Sequence, residues 1–208
     1  MKGMGHIDRC RSYCADEQVI GGTAMSATVL NGPGDVDCMG KPNTGEMNMV
    51  NFTEEPDETT RRIQTDFQAS HLNPVLTQNF MGTLMAKVVF NAVVNTLCTM
   101  FRVQMGQFAE YEGIDALSRM MLDEAYDACE RAGIQLIQTR QEEVDSVDFV
   151  SRVANPFHYP SMYQDFSKGR PTEVDYINGY IARLGREHDY ICQVHLVSHE
   201  FVHMADVV

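Results

Sequence analysis

The arrangement of apolar and polar residues changes near residue 70 of this chain. Before that point, short apolar runs alternate with stretches rich in glycine, proline and asparagine, which is typical of strands joined by turns. After it, apolar residues recur every three or four positions over longer stretches, as in amphipathic helices. The pattern predicts two domains, a β-containing part at residues 1–70 and an all-α part at residues 71–208.

The N-terminal part is expected to contain two helices and at least three strands. The first helix is predicted over 7–14. The second begins in the acidic stretch 54–58, where a proline and carboxylates suit a helix N-terminus, and ends near Ala69. Strands are predicted over 18–24, 35–40 and 47–52, with turns at 31–34 and 41–45.

The all-α part is expected to contain six helices. The second of them stops before Gly133, a residue type that commonly ends helices, and two prolines interrupt the pattern at 155–160. The fifth should be capped by Thr172. The helices are predicted over 78–101, 114–132, 141–153, 161–166, 173–187 and 193–206.

Three polar side chains interrupt the most apolar of these helices. Lys87, Asn91 and Asn95 are four residues apart, so in a helix they form one stripe with steps of about 6 Å along the axis. A core helix has no structural need for an ammonium and two carboxamides, and burying them costs free energy unless they are paired. The stripe is therefore a candidate functional site. The alternative is that the stripe faces water and Lys87 is an ordinary solvated lysine.

Composition narrows the range of partners. The chain has 208 residues, of which 44% are hydrophobic, and a formal net charge of −13. Nucleic acids and anionic membrane surfaces attract basic proteins, so neither is expected as a partner. We expect no apolar run long enough to cross a membrane, and the first residues lack the apolar core of a signal peptide. A cytoplasmic protein with free thiols is the expectation.

A second polar segment lies downstream of the stripe. It reads Ser-Met-Tyr-Gln-Asp at 161–165 and Gly-Arg-Pro-Thr-Glu-Val-Asp-Tyr-Ile-Asn-Gly at 169–179. A helix carrying Lys-x3-Asn-x3-Asn, followed by these two motifs in this order, resembles the ketopantoate reductase (2-dehydropantoate 2-reductase) family. The resemblance covers essentially the whole chain.

The resemblance implies a fold. Residues 1–70 would be an α/β remnant, the C-terminal part of a Rossmann-type nucleotide-binding domain. The segment with glycines at 3, 5, 21, 22, 32 and 34 resembles the last third of the family's nucleotide-binding domain. Residues 71–208 would form an all-α domain like that of 6-phosphogluconate dehydrogenase. The family's GxGxxG motif, which holds the pyrophosphate, does not occur in the sequence. We therefore expect a chain truncated at its N-terminus that binds NADPH poorly.

The resemblance also implies an activity, the NADPH-dependent reduction of a small 2-oxo acid such as 2-dehydropantoate, a step in pantothenate biosynthesis. Lys87 would be the general acid that protonates the developing alkoxide as hydride reaches the ketone. Asn91 and Asn95 would bind the polar end of the substrate, Ser161 its carboxylate and Glu173 its hydroxyl groups.

Two departures from the family pattern bear on cofactor and substrate. The family's Asn-Gly-x-Gly loop near the nicotinamide reads Lys-Gly-Met-Gly here, so Gly3 and Gly5 are the cofactor-binding candidates. A substrate-side asparagine that the family often has after the long helix aligns with Met105. Both departures leave the exact substrate open.

Two other functions compete with the reductase. If the chain lacks the cofactor site, it would be a non-catalytic helical fragment that dimerises or binds a ligand. A homodimer is an option for the reductase too. The third function is a zinc hydrolase, because 199–203 reads His-Glu-Phe-Val-His and fits H-E-x-x-H. His195 lies about 12 Å along the helix from His203, too far to share an ion with it. No ligand follows downstream, so we expect no metal site.

Overall fold

The computed structural model describes residues 4–24, 28–38, 47–51 and 56–207, which divide into two compact units. One unit is His6–Thr83, and the other is Leu84–Val208 together with Met4 and Gly5. The first contains α1 (His6–Arg11), β1 (Ile20–Ala24), β2 (Thr28–Gly32), β3 (Asp35–Cys38), β4 (Met47–Asn51), α2 (Glu58–Ala69) and β5 (Pro74–Leu76). The second contains most of α3 (Phe80–Phe101), then α4 (Met105–Glu110), α5 (Ile114–Arg131), α6 (Arg140–Phe149), α7 (Ser161–Phe166), α8 (Asn178–Glu187) and α9 (Gln193–Val207).

The first unit has two sheets. Strand β4 lies between β1 and β5, antiparallel to the first and parallel to the second. Strands β2 and β3 form a separate antiparallel hairpin, which turns at Gly34 with φ of 79°. A glycine suits this turn because a positive φ strains residues that carry a Cβ atom.

The predicted strands 18–24, 35–40 and 47–52 correspond to β1, β3 and β4. The sequence patterns missed β2 and β5, which have five and three residues. Helix α2 begins at Glu58, later than expected, because the Asp57 side chain caps it by accepting a hydrogen bond from Thr60 N at 2.7 Å. The predicted turn at 41–45, together with residues 54 and 55 of the predicted helix start, lies outside the described residues.

Helix α3 is the centre of the hydrophobic core of the second unit. Eight of its hydrophobic side chains are at most 2% exposed, namely Met85, Val88, Val89, Ala92, Val93, Val94, Leu97 and Cys98. By length and composition alone, Phe80–Phe101 is long and apolar enough to cross a membrane, so the expectation that no run reaches that length was wrong. Three polar residues are too few to offset the hydropathy of their neighbours. Within the protein, 72% of the most apolar 18-residue stretch of this helix is buried, as in a core helix.

A buried hydrogen-bond network joins α3 to three other helices. Asn178 accepts a hydrogen bond from Thr96 Oγ1 at 2.6 Å, and its Nδ2 donates to Ala92 O at 3.1 Å and to His195 Nδ1 at 3.2 Å. On the other side of the imidazole, Nε2 donates to Met121 O in α5 at 2.8 Å. His195 is therefore the neutral tautomer with its proton on Nε2. Burial lowers the pKa of this imidazole to about 4.

Helix α9 is also held at its N-terminus by a carboxylate from α5. Both oxygens of Glu124 lie within 3.0 Å of Val194 N, and one of them also accepts from His195 N at 3.2 Å. These N–H groups have no partner within their own helix, so a side chain from elsewhere must satisfy them. The sequence of α9 contains no acidic residue in its first turn that would do this.

The predicted helix 173–187 is two elements. Val174–Tyr176 forms a 3₁₀ turn, and α8 begins only at Asn178. Between them Ile177 has φ of −114° and ψ of −91°, which is not helical. The break turns the Asn178 side chain into the buried network described above. Thr172 is the N-cap of neither element, because that position is Glu173 in the 3₁₀ turn and Ile177 in α8.

The remaining helices differ from the expectation mainly at their ends. Predicted helix 141–153 is α6 followed by a π-helical segment, Val150–Ala154. Helix α4, six residues long, was not predicted. It packs closely on the chain after the π segment: Gly106 N donates to Pro156 O at 2.7 Å, and a Cβ atom at Gly106 would approach that oxygen to 2.8 Å.

Five cysteines carry free thiols in the described structure. Cys10 and Cys14 are exposed, whereas Cys98, Cys129 and Cys192 are buried among the helices. Burial raises the pKa of each of these three buried thiols to about 12.

Replacing Asn178 by alanine should destabilise the helical unit. The change leaves the Thr96 hydroxyl and His195 Nδ1 without their partner and removes an additional hydrogen bond to Ala92 O. Each buried unsatisfied group costs about 1–3 kcal/mol. We expect a loss of about 3 kcal/mol or more in the free energy of unfolding, measured by urea denaturation. Thr99→Val is the control, since the bond that the described residues show for Thr99 Oγ1 is to Asn95 O within the same helix. Equal losses in the two variants would contradict a special role for the network.

Glu143 makes stability fall as the pH rises. It is 1% exposed, Oε2 has no hydrogen-bond partner among the described residues, and burial raises the pKa of its carboxyl from 4.5 to about 7. The folded state therefore binds more protons than the unfolded state between these values, so stability is lost as the pH increases across this interval. At 1.36 kcal/mol per pKa unit the loss is on the order of 3 kcal/mol.

Glu143→Gln should abolish that loss. Relative to the wild type, the variant should gain stability on the order of 3 kcal/mol between pH 4, where the wild-type carboxyl is protonated, and pH 8. The measurement is the difference in unfolding free energy between the two proteins at several pH values. The lowered pKa of His195 makes stability rise with pH, but it does so in both proteins and cancels in the difference. Glu112→Gln removes the same charge from an exposed position and serves as control. A difference that does not grow with pH would refute the assignment.

Candidate active site

The polar stripe of α3 is largely withdrawn from water. Asn91 is 9% exposed and Asn95 is 5% exposed, and Lys87 at the N-terminal end of the stripe is half-buried. The alternative of a solvent-facing stripe is therefore wrong for the two asparagines. An ammonium followed by two buried carboxamides is an arrangement that can hold a small polar molecule by one end.

The network around Asn178 fixes the orientation of this stripe. Thr96, adjacent to Asn95, donates the 2.6 Å hydrogen bond that ties α3 to α8. Because α3 is also buried on most sides, its rotation about its own axis is fixed, and so is the direction of the stripe. The rigid positioning of polar groups on a helix is what a binding site requires.

Ser161 is the first residue of α7 and is half-buried. The helix is anchored by Met162, which is fully buried, and it begins directly after Pro160. The loop after α7 is closed by an ion pair between Arg170 and Asp165, and Arg170 N also donates to Asp165 O at 3.0 Å. The motif 161–170 thus folds as one locally bonded unit.

Glu173 is half-buried and immediately precedes the 3₁₀ turn. The end of this turn contacts the N-terminal residues of the chain, because Met4 N donates to Tyr176 O at 3.0 Å. Gly5 follows with φ of 97°, a conformation that favours glycine. The structure therefore brings Gly5 to the segment that carries Glu173, whereas Gly3 lies outside the described residues.

All the described site candidates lie in the helical unit. Lys87, Asn91 and Asn95 are on α3, whose partner α8 follows the Glu173 segment directly. Met105, expected from the sequence to stand where the family often has a substrate-side asparagine, is 4% exposed in the core and offers no amide. Sequence spacing predicted the stripe, but only the structure shows that Asn178 links it to the Glu173 segment.

A second group of polar side chains lies at the segment that carries Glu173. Asp175 Oδ1 is 2.7 Å from His199 Nε2 and 2.9 Å from His203 Nε2. His195, the third imidazole of the same helix, belongs instead to the buried network. The sequence motif revealed the two histidines but gave no signal for Asp175, which precedes them by more than twenty residues.

Comparison with known proteins identifies relatives of this chain. The family model for the C-terminal domain of ketopantoate reductase PanE/ApbA matches residues 79–206. The 2-dehydropantoate 2-reductase of Lactococcus lactis subsp. lactis is 27% identical over 194 residues, which are 91% of this chain and 60% of that protein. The Aquifex aeolicus enzyme of the same name is 32% identical over 107 residues, 50% of this chain and 34% of that protein.

Solved structures give the same fold. The ternary structure of D-mandelate dehydrogenase with NADH and anilino(oxo)acetate has a TM-score of 0.89 at 26% identity and covers 99% of this chain and 66% of that one. A PanE/ApbA family ketopantoate reductase from Ralstonia eutropha JMP134 has a TM-score of 0.85 at 23% identity, covering 99% and 65%. At that identity the second match shows the fold alone.

These matches define a class of proteins in which a Rossmann-type α/β portion precedes an all-α domain. Within that class, the chain belongs to the ketopantoate reductase family, whose C-terminal domain model matches more than half of its residues. It spans about 60% of the length of the Lactococcus lactis relative.

Proposed function

We propose that this chain provides the substrate-binding and proton-donating part of an NADPH-dependent reductase that converts a small 2-oxo acid, such as 2-dehydropantoate, to the 2-hydroxy acid. The observation that supports it most is the buried asparagine stripe in line with Lys87 on a helix held rigidly by Asn178. A core helix gains nothing in stability from these polar groups.

The proposed chemistry follows from the side chains. The Lys87 ammonium hydrogen-bonds the ketone oxygen, stabilises the negative charge that develops there and transfers its proton from Nζ to that oxygen. Asn91 and Asn95 orient the polar end of the substrate. Ser161 binds the carboxylate, and Glu173 accepts hydrogen bonds from hydroxyl groups.

A reduced nicotinamide cofactor would supply the hydride. The described residues fit such a group at one place, Gly5, where a positive φ and the absence of a Cβ atom let a ligand approach the backbone. The sequence has no GxGxxG segment for the pyrophosphate. NADPH as the cofactor follows from the family, while the D-mandelate dehydrogenase neighbour was solved with NADH.

Location and assembly stay predictions. The proposed location is the cytoplasm, where free thiols such as those of this chain persist. The proposed assembly is a homodimer; a Staphylococcus aureus ketopantoate reductase with a TM-score of 0.73 to this chain is described as dimeric.

The activity is best tested on a chimera that joins this chain to the part of the Lactococcus lactis relative that it does not cover. Lys87→Ala in the chimera should lower kcat by about 10²–10⁴, the usual contribution of a positioned general acid, and leave the affinity for NADPH nearly unchanged. The measurements are NADPH oxidation with 2-dehydropantoate and a fluorescence titration of cofactor binding.

Lys168→Ala is the matched control for this test, since Lys168 is exposed in the loop after α7. A kcat close to that of the parent chimera would remove Lys87 from the mechanism. A parent chimera that binds 2-oxo acids but reduces none of them would indicate that the helical unit is a binding module only.

Glu173→Gln should discriminate between substrates with and without a hydroxyl group. Loss of a charge-assisted hydrogen bond costs about 1.5–3 kcal/mol, so KM for 2-dehydropantoate should rise by about 10- to 150-fold. KM for 2-oxoisovalerate, which lacks the hydroxyl, should change little. Glu187→Gln, at the exposed end of α8, is the control. Equal changes for both substrates would make Glu173 a structural residue.

A further inference from the structure

Two imidazoles and a carboxylate converge at the surface of the helical unit. His199 and His203 lie one turn apart on α9, and their Nε2 atoms are 2.7 and 2.9 Å from Asp175 Oδ1. One potential ligand atom from each residue lies within 4.8 Å of the other two. At the usual zinc–nitrogen and zinc–oxygen bond lengths, the ligand atoms of a tetrahedral ion are about 3.3 Å apart. Small side-chain rotations therefore suffice to place all three around one ion.

A carboxylate outside this group orients one of the imidazoles. His199 Nδ1 lies 3.1 Å from Glu200 Oε1, so it donates its proton there while Nε2 points to Asp175. Histidines that bind metals nearly always donate the other ring N–H to a carboxylate, a carbonyl or water. This contact therefore leaves Nε2 of His199 as the ligand atom, and a metal ion there would replace the Nε2 proton.

The backbone of α8 is shaped to receive the same imidazole. A Cβ atom at Gly179 would lie 2.9 Å from His199 Cδ2 and 3.0 Å from Nε2. Any larger residue at this position would displace the ring from Asp175. Accordingly, His199 is the more enclosed of the two histidines, with 17% of its side chain exposed against 42% for His203.

Two of the three candidate ligand residues border a groove. Asp175 and His203 line this groove of about 480 Å³ together with Arg102, Arg170 and Thr172. An ion held by the three side chains would therefore keep an exchangeable position for water or a small anion. Two imidazole nitrogens and one carboxylate are ligands that suit zinc and its neighbours better than magnesium or calcium.

We propose that Asp175, His199 and His203 form a binding site for one divalent transition-metal ion, with zinc as the ion that this ligand set fits best. The ion would join α9 to the 3₁₀ turn that follows Glu173. This site differs from that of an H-E-x-x-H hydrolase, because the third ligand comes from upstream and Glu200 bonds to a ligating imidazole instead of facing the open position.

Zinc binding is measurable on the 208-residue chain without cofactor or substrate. Because the exposed Cys10 and Cys14 could bind zinc by themselves, every protein in the experiment carries Cys10→Ser and Cys14→Ser. Isothermal titration with zinc chloride, in competition with a chelator of known affinity, should give one ion per chain. Zinc should also raise the Tm of this protein.

Variants of two ligands and of the orienting carboxylate provide the decisive comparison. His199→Ala should abolish binding, and Asp175→Asn should weaken it at least tenfold. Glu200→Gln should weaken it by about 10- to 100-fold, the usual effect of removing an orienting partner. His188→Ala, which removes an exposed imidazole elsewhere, should have no effect. Circular dichroism checks that each variant is folded.

Two results would overturn the proposal. One is the absence of stoichiometric zinc binding by the parent protein in the presence of the competing chelator. The other is unchanged zinc affinity in folded Asp175→Asn, which would mean that the two histidines alone bind the ion, as any pair one helical turn apart can. Cobalt in place of zinc gives an independent check, because its visible spectrum reports the number and geometry of the ligands and should change in Asp175→Asn.

Discussion

The helical unit depends on a single carboxamide. The Asn178 side chain uses its oxygen and its amide hydrogens to join a hydroxyl and a carbonyl of α3 to an imidazole of α9, which in turn reaches a carbonyl of α5. Four helices thereby share one fully paired network inside an otherwise apolar core. Such a network specifies one arrangement of the helices, because any shift of register would leave several buried polar groups unpaired at once.

The requirement for this network also explains the shape of the chain around it. If residues 173–187 formed one continuous helix, Asn178 would simply continue that helix. Instead, the chain breaks at Ile177, which has a non-helical backbone, and the 3₁₀ turn before it presents Glu173 and Asp175. The same break that satisfies the core therefore produces the segment on which both the proposed substrate contact and the proposed metal ligand lie.

The sequence predicted most of the helices because their apolar residues repeat at helical spacing. It predicted the stripe Lys87-x3-Asn91-x3-Asn95 because three polar residues stand out in an otherwise apolar run. It missed β5 and α4, which are too short to show a period. It also missed the cap of α9, because Glu124 is distant along the chain. Contacts between residues far apart in sequence, such as Asp175 with His199, leave no trace in local spacing.

The packing that encloses α3 has a further consequence for chemical reactivity. Thiolates react with alkylating reagents and thiols do not, so Cys98, Cys129 and Cys192, with their raised pKa values and buried sulfurs, are inert while the helices stay packed. The exposed pair Cys10 and Cys14 remains accessible throughout. Thiol labelling of the native chain should therefore have a fast phase from the exposed pair and a slow phase whose rate reports how often the helical unit opens. The protein thus contains its own probe of local unfolding.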